Sequence, residues 1–190
     1  AGITNDWALA VTDDGTIAYE GPQDGLKGQG GEHIDLHGKL LVPGFIDLHH
    51  HGGNGISFEA GADPQQMAEH AAWAARNGVT GYLRTIAAPT QPELLALIRA
   101  HVDQMKGASG GARPLGLHLE GPFLNPDKAG AFNPGWLRAP DLDEIRDWLE
   151  AGEGWVRMVT LSPELPGAFE AARILKDAGV VAAMGHTTAD

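Results

Sequence analysis

The sequence lacks cysteine and long apolar runs, and it has few basic residues. With no cysteine among 190 residues, disulfides and thiolate chemistry are excluded, and a cytoplasmic protein is expected. Lys and Arg number 13 against 25 Asp and Glu, a formal charge of −12, which argues against nucleic acid or an anionic membrane as partner. No run reaches the ~18 apolar residues of a membrane span, and no signal-peptide pattern opens the chain.

Residues 1–41 are predicted to supply the strands of a small antiparallel sheet, part of a β-sandwich. Residues 7–11 and 16–19 have β-like patterns and flank Asp13-Asp14-Gly15, a strong hairpin signal. Residues 33–37 form a third β-like run, with Ile34 and Leu36 on one face.

From residue 42 onwards, strands alternate with helices. Five strands are predicted: one ending at His51, then 79–86, 114–119, 156–161 and 180–184. The helices between and after them are predicted at 64–77, 91–106, 141–150 and 168–178. Strands that alternate with helices of ~10–15 residues indicate parallel βαβ units. The predicted fold class is therefore α/β, with residues 42–190 forming the first part of a (β/α)8 barrel.

A cluster of three histidines ends the first of these strands, in Pro-Gly-Phe-Ile-Asp-Leu-His-His-His-Gly-Gly over residues 43–53. In an extended strand His49 and His51 point to one face and His50 to the other. Two imidazoles on one face offer half of a metal site, and Gly52 and Gly53 allow a tight turn. The alternative is a polar loop with an accidental histidine cluster.

Further polar residues stand at the ends of later strands. His118 and Glu120 end the third strand, and His186 ends the fifth. In a closed barrel these ends converge on the face that carries active sites. Glu120 and His186, together with His49 and His51, form a ligand set for zinc, iron or manganese. Alternatively, Glu120 is a solvated strand end, and His118 supports the site, contacts substrate or is a core histidine.

Other polar and aromatic residues are predicted to have structural roles. Asp47 is expected to orient a ligand or cap a turn, and His50 to pack as support. Trp73, Trp148 and Trp155 are assigned to packing, and four histidines to solvent-exposed surfaces: His33, His37, His70 and His101.

The motif in residues 43–53 resembles the amidohydrolase superfamily. Residues 118–126 (His-Leu-Glu-Gly-Pro-Phe-Leu-Asn-Pro), 128–131, 133–134 and 185–187 resemble its N-acetylglucosamine-6-phosphate deacetylase family in particular. The resemblance implies that Glu120 and His186 are metal ligands, and that His49 and His51 support a second metal in some members. It further implies one or two divalent metals, zinc or iron, an amino-sugar phosphate as substrate, and a homodimer.

The resemblance also implies that no catalytic residue lies in this chain. Similar proteins are about twice as long, and their catalytic aspartate, another metal-binding histidine and the phosphate-binding residues come after the position of residue 190. The chain is therefore expected to represent the first five strands of the barrel, and residues 1–190 as an isolated polypeptide are expected to be inactive.

One position departs from the family pattern. Members carry Gly-Ala-His before Asn-Pro, with the histidine reaching the sugar, whereas this chain has Gly130-Ala131-Phe132. The predicted substrate-binding residues are thus Ala131, Phe132 and His118, with the substrate itself in question. The alternatives are an amidohydrolase that acts on a different N-acyl or cyclic amide, or an inactive barrel scaffold.

Overall fold

The computed structural model describes residues 3–26 and 30–190. Residues 1, 2 and 27–29 of the predicted N-terminal sheet lie outside the described part. The chain divides into two compact units, Ala1–Val42 and Pro43–Asp190. Among the described residues, no helix has both the length and the apolarity needed to cross a membrane.

The first unit contains the predicted hairpin. Strands β1 (Trp7–Val11) and β2 (Ile17–Pro22) pair antiparallel. The turn is closed by the Thr12 N–H, which donates to the Thr16 carbonyl at 2.9 Å, and Gly15 adopts the positive φ of 83° that the turn requires. A 3₁₀ helix, Gln23–Leu26, follows β2.

The strand predicted at residues 33–37 does not form, so that prediction is wrong. The Asp35 carboxylate accepts from the His37 N–H at 2.7 Å, and His37 adopts a left-handed φ of 49°. A local side-chain turn of this kind bends the backbone away from the extended form that a ladder needs. The predicted exposure of His33 and His37 is confirmed.

The second unit is built on a five-stranded parallel sheet with the strands in chain order. Its strands are β3 (Phe45–Asp47), β6 (Val79–Ile86), β7 (Arg113–Glu120), β8 (Val156–Leu161) and β9 (Val181–Met184). The short strands β4 (Gly52–Gly53) and β5 (Ile56–Ser57) pair as a separate hairpin after β3. The helices are α1 (Pro64–Arg76), α2 (Gln91–Lys106), α3 (Leu142–Gly152) and α4 (Ala168–Asp177). The predicted alternation is confirmed.

Helix starts follow the local sequence. The Asp63 carboxylate accepts from the Gln66 N–H at 2.9 Å, and Pro64 occupies the first helical position of α1. Thr90 and Asp141 cap α2 and α3 in the same way. Each cap satisfies a backbone donor that the helix itself leaves free, which is worth about 1 kcal/mol.

Two histidines predicted to face solvent are buried, so this prediction is wrong for His70 and His101. Both lie on the faces of α1 and α2 that carry the buried apolar residues. His101 is satisfied there, because its Nε2 donates to the Phe58 carbonyl at 2.9 Å. Burial lowers the pKa of both histidines to about 4, so both are neutral near pH 7.

Candidate metal centre

Four predicted ligands meet at the carboxyl ends of the parallel strands. His49 and His51 follow β3, Glu120 ends β7, and His186 follows β9 by two residues. The strands place these groups together because their carboxyl ends lie along the same edge of the sheet. All four belong to the second unit.

Backbone pairing with β6 fixes the histidine segment. The His50 N–H donates to Thr85 Oγ1 at 3.0 Å, and the Thr85 N–H donates to the His50 carbonyl at 3.1 Å. Asp47 accepts from the His49 N–H at 3.1 Å. His50 packs against Phe58 and stacks on His70, as its predicted supporting role requires.

His49, His51 and Glu120 form a group that can hold a divalent metal. Their ligand atoms all lie within 4.8 Å of one another. Glu120 Oε2 is 3.2 Å from His49 Nε2 and 2.8 Å from His51 Nε2. Neighbouring ligands of a tetrahedral zinc ion, with bonds of about 2.0–2.1 Å, are about 3.3 Å apart. The residues therefore fit such an ion with small adjustments.

Glu59, in the 3₁₀ helix Phe58–Ala60, holds the other side of His51. Its carboxylate contacts His51 Nδ1 and also accepts from the Ser57 hydroxyl at 2.7 Å. A carboxylate behind a histidine fixes which ring nitrogen carries the proton and leaves the other free as a ligand. Sequence reasoning missed Glu59, whose only signal is an acidic residue soon after the glycine pair.

His186 approaches the opposite oxygen of Glu120. Its Nε2 is 3.1 Å from Glu120 Oε1, and its Nδ1 donates to the Lys128 carbonyl at 2.8 Å. Because a carbonyl can only accept, the proton of the neutral ring sits on Nδ1, and Nε2 faces the carboxylate. The preceding Gly185 leaves room for Thr160, since a Cβ there would meet Thr160 Cγ2 at 2.8 Å and force one of the two to shift.

A buried serine and an exposed glutamate anchor the chain around His186. Ser162 Oγ lies 2.7 Å from the His186 carbonyl, to which it donates, and accepts from the Asn125 N–H at 2.8 Å. Glu164 accepts from the Thr188 N–H at 2.8 Å and from Asn125 Nδ2 at 2.8 Å. The β8 end thus connects the loop after Glu120 to the segment that carries His186. Sequence reasoning missed this tether, because it depends on loop geometry.

The cluster shifts two ionisation equilibria in opposite directions. Burial acts to raise the pKa of Glu120, but its close polar contacts with His51 and His186 and the charges of the nearby imidazoles outweigh burial, and the pKa falls to about 2. Hydrogen bonds to Glu120 and then to Glu59 raise the pKa of His51 to about 9. Without metal, a protonated His51 therefore bridges two carboxylates.

The three predicted substrate-binding residues lie in different surroundings, and His118 is the most deeply buried of them. His118 is fully buried, with Nδ1 3.0 Å from Thr85 Oγ1 and Nε2 2.7 Å from Thr160 Oγ1, and its ring meets His49 edge-on at 4.7 Å. Burial lowers the pKa of His118 to about 4.

The Phe132 ring centroid lies 5.5 Å from that of His186, and its side chain packs against a small cluster of Leu124, Ala129 and Leu137. Ala131 is exposed in the adjoining turn. Of the three predicted substrate-binding residues, Phe132 is the one that packs against the ring of His186.

A parallel sheet with such a histidine–carboxylate group at its carboxyl edge is typical of metal-dependent enzymes built on α/β barrels. Residues 40–189 match the sequence model described as the amidohydrolase family, and the chain belongs to that family. The family is metal-dependent and hydrolytic, which confirms that part of the prediction.

Three known proteins illustrate the relationship. The N-acetylglucosamine-6-phosphate deacetylase of Bacillus subtilis is 36% identical over 154 residues, 80% of this chain and 39% of the relative. The N-acetylgalactosamine-6-phosphate deacetylase of Escherichia coli O157:H7 is 32% identical over 151 residues, 80% of this chain and 40% of the relative. The crystal structure of the N-acetyl-D-glucosamine-6-phosphate deacetylase of Mycobacterium smegmatis superposes with a TM-score of 0.79 at 36% identity, over 95% of this chain and 46% of that one.

The matches confirm the predicted fold class, a parallel half-barrel preceded by an antiparallel β segment. The chain spans about two fifths of the length of these curated relatives.

Proposed function

We propose that the protein removes the acetyl group from N-acetylglucosamine 6-phosphate in a metal-dependent hydrolysis, giving glucosamine 6-phosphate and acetate. The observation that supports this most strongly is the convergence of His49, His51 and His186 on the two oxygens of Glu120. The curated relatives named above act on N-acetylated amino-sugar phosphates, according to their names.

The donor set favours zinc or iron, since three imidazoles and one carboxylate suit both. Glu120 presents Oε2 to His49 and His51 and Oε1 to His186, so both of its oxygens would be available to hold one or two ions. A metal held there supplies a Lewis acid that polarises an amide carbonyl and makes water more acidic.

The chain's own residues prepare this site. Glu59 and the Lys128 carbonyl orient His51 and His186 so that their Nε2 atoms face Glu120. The buried His118 backs His49 and stays neutral, so it adds no charge to the centre. Phe132 supplies an apolar wall beside His186. The aspartate expected to act as base is not among residues 1–190, by the resemblance described above.

The second candidate substrate is N-acetylgalactosamine 6-phosphate. The E. coli relative carries that name at 32% identity, which is close to the 36% of the B. subtilis relative. Phe132 stands where the family has a sugar-contacting histidine, and a hydrogen bond of that kind is worth about 0.5–1.5 kcal/mol. Without this hydrogen bond to the sugar, the site distinguishes less strongly between the hydroxyl arrangements of the glucosamine and galactosamine substrates.

The test is deacetylation by the purified complete protein, with acetate release measured on both phosphosugars and on unphosphorylated N-acetylglucosamine. We expect activity on at least one phosphosugar, its loss after chelation, and its return with zinc or iron. Release from a simple N-acyl amino acid but from neither phosphosugar would favour the alternative amidohydrolase. Metal binding without hydrolysis of any amide would favour an inactive scaffold.

The homodimer and the cytoplasmic location stay predictions. Size-exclusion chromatography with light scattering of the complete protein tests the first, and cell fractionation tests the second.

A further inference from the structure

A buried arginine lies behind the sheet, away from the candidate metal centre. Arg84 is 1% exposed and sits on β6, next to Thr85, whose hydroxyl contacts His118. Successive strand residues face opposite sides, so the Arg84 side chain enters the layer between the sheet and the helices. A guanidinium keeps its charge in proteins, and burying a charge is costly unless it is paired.

The surroundings of Arg84 do not neutralise it. Its Nη1 donates to His101 Nδ1 at 3.1 Å, and because a guanidinium can only donate, His101 Nδ1 accepts and carries no proton, so the ring is neutral with its single proton on the Nε2 that donates to the Phe58 carbonyl. The guanidinium carbon lies 5.9 Å from the centroid of the Phe58 ring. No carboxylate within residues 3–26 and 30–190 forms an ion pair with Arg84. The neutral Tyr82 hydroxyl lies beside it and favours its charged form, and its Nε is buried without a hydrogen-bond partner.

A cavity of about 150 Å³ adjoins this arginine, between α1, α2 and the sheet. Two other polar side chains line the cavity, Tyr82 and Gln104. Their buried oxygens, Tyr82 Oη and Gln104 Oε1, make no hydrogen bond of good geometry with any described residue. A turn at residues 107–110 forms part of the wall. A cavity of about 150 Å³ accommodates a benzene-sized molecule, so an anion of four or five heavy atoms fits.

We propose that this cavity binds a small oxyanion, a phosphate or a carboxylate, on the guanidinium of Arg84. Arginine matches such anions with two parallel N–H donors. The Tyr82 hydroxyl adds a third donor, and the Gln104 side chain adds a fourth when its amide is rotated, since the two ends of an amide are interchangeable in shape. Ordered water alone would satisfy the hydrogen bonds but leave the positive charge uncompensated.

The site is independent of the proposed function, because its residues face the helix layer and include none of the candidate metal ligands. Its test is equilibrium binding of inorganic phosphate, and separately of acetate, to the complete protein after chelation of metal. Arg84→Met removes the charge and keeps an apolar chain of similar length. Arg99→Met is the matched control, since Arg99 lies on α2 and is exposed.

We expect wild type and Arg99→Met to bind one more equivalent of anion than Arg84→Met. The phosphate and acetate titrations show which oxyanion the cavity prefers. His186→Asn, which disturbs only the metal centre, should keep the extra equivalent, so failure of the metal centre and failure of this cavity are distinguishable.

Tyr82→Phe provides a second test that does not depend on the folding of Arg84→Met. Loss of one hydrogen bond to a charged group predicts about 10- to 100-fold weaker binding of the preferred anion. The same number of bound anions in wild type and in folded Arg84→Met, for both phosphate and acetate, would overturn the proposal. If Arg84→Met does not fold, unchanged affinity in Tyr82→Phe would overturn it.

Discussion

Metal binding at the candidate centre should release a proton from His51. In the metal-free protein this histidine bridges Glu120 and Glu59, and its pKa is raised to about 9. A metal at Nε2 needs the lone pair that the proton occupies, so ion and proton compete. We therefore predict that metal affinity falls as the pH drops below about 9.

The expected pH dependence of metal affinity follows from the raised pKa of His51. At pH 7.5, a histidine with a pKa of about 9 gives up about one proton on binding metal, whereas one at the ordinary value of about 6.5 gives up about a tenth. Between pH 8.5 and 6.5 this one proton weakens the apparent affinity by up to about 100-fold. The His51 side chain is 40% exposed, so solvent screening makes this an upper limit.

The assay is calorimetric titration of zinc into metal-free protein in buffers of different ionisation enthalpy, which counts released protons. Glu59→Gln keeps the ligands and can still accept from His51 Nδ1, but it removes one negative charge that raises the His51 pKa. It should release fewer protons at pH 8 than wild type, while Glu69→Gln, an exposed change on α1, should release the same number. Equal proton release by wild type and Glu59→Gln would refute this reasoning.

Three further predictions concern pH, the tether and the substrate. The pKa of His51 is raised, so its bridge to the two carboxylates stabilises the fold fully below the unfolded pKa of about 6.5, and this contribution is lost as the pH rises through about 9. Between pH 7 and pH 9.5, metal-free wild type should therefore lose about 1–2 kcal/mol of unfolding free energy, a figure that allows for the exposure of the side chain. Thermal melts at the two pH values measure this loss, and Glu59→Gln should lose less. Ser162→Ala leaves the His186 carbonyl and the Asn125 N–H without their hydrogen-bond partner. It should lower the free energy of unfolding in urea by about 1–3 kcal/mol and weaken metal retention. An unchanged unfolding midpoint would show that this tether is dispensable. Phe132→His should raise kcat/KM on N-acetylglucosamine 6-phosphate by up to about tenfold through a restored sugar hydrogen bond, and a loss would mean that the ring shapes a different pocket.

The order of strands and helices could be predicted because it depends on local patterns. Apolar spacing and caps such as Asp63 locate the helices, and the parallel sheet then brings strand ends together, so Glu120 and His186 could be placed at the same edge from sequence alone. The wrong strand at 33–37 shows the limit of the same reasoning, because a β-like pattern does not supply a partner strand, and the Asp35 hydrogen bond turns the chain at His37.

The remaining features depend on tertiary contacts. The spacing of His70 and His101 puts them on the buried faces of α1 and α2, but their polarity suggested solvent, and only the folded chain supplies partners such as the Phe58 carbonyl. Glu59 and Ser162 belong to segments whose directions are set by the β4–β5 hairpin and by the loops after β7 and β9. No spacing in the sequence encodes those directions.

The most direct test of the account is the metal content of the complete protein when Glu120 is changed to Gln. Every candidate ligand contacts this carboxylate, so its charge and both oxygens are central to the site. We predict that Glu120→Gln loses bound metal and deacetylation together, by elemental analysis and acetate release, while Glu150→Gln, an exposed change on α3, keeps both. Full metal content in folded Glu120→Gln would contradict the assignment of this site.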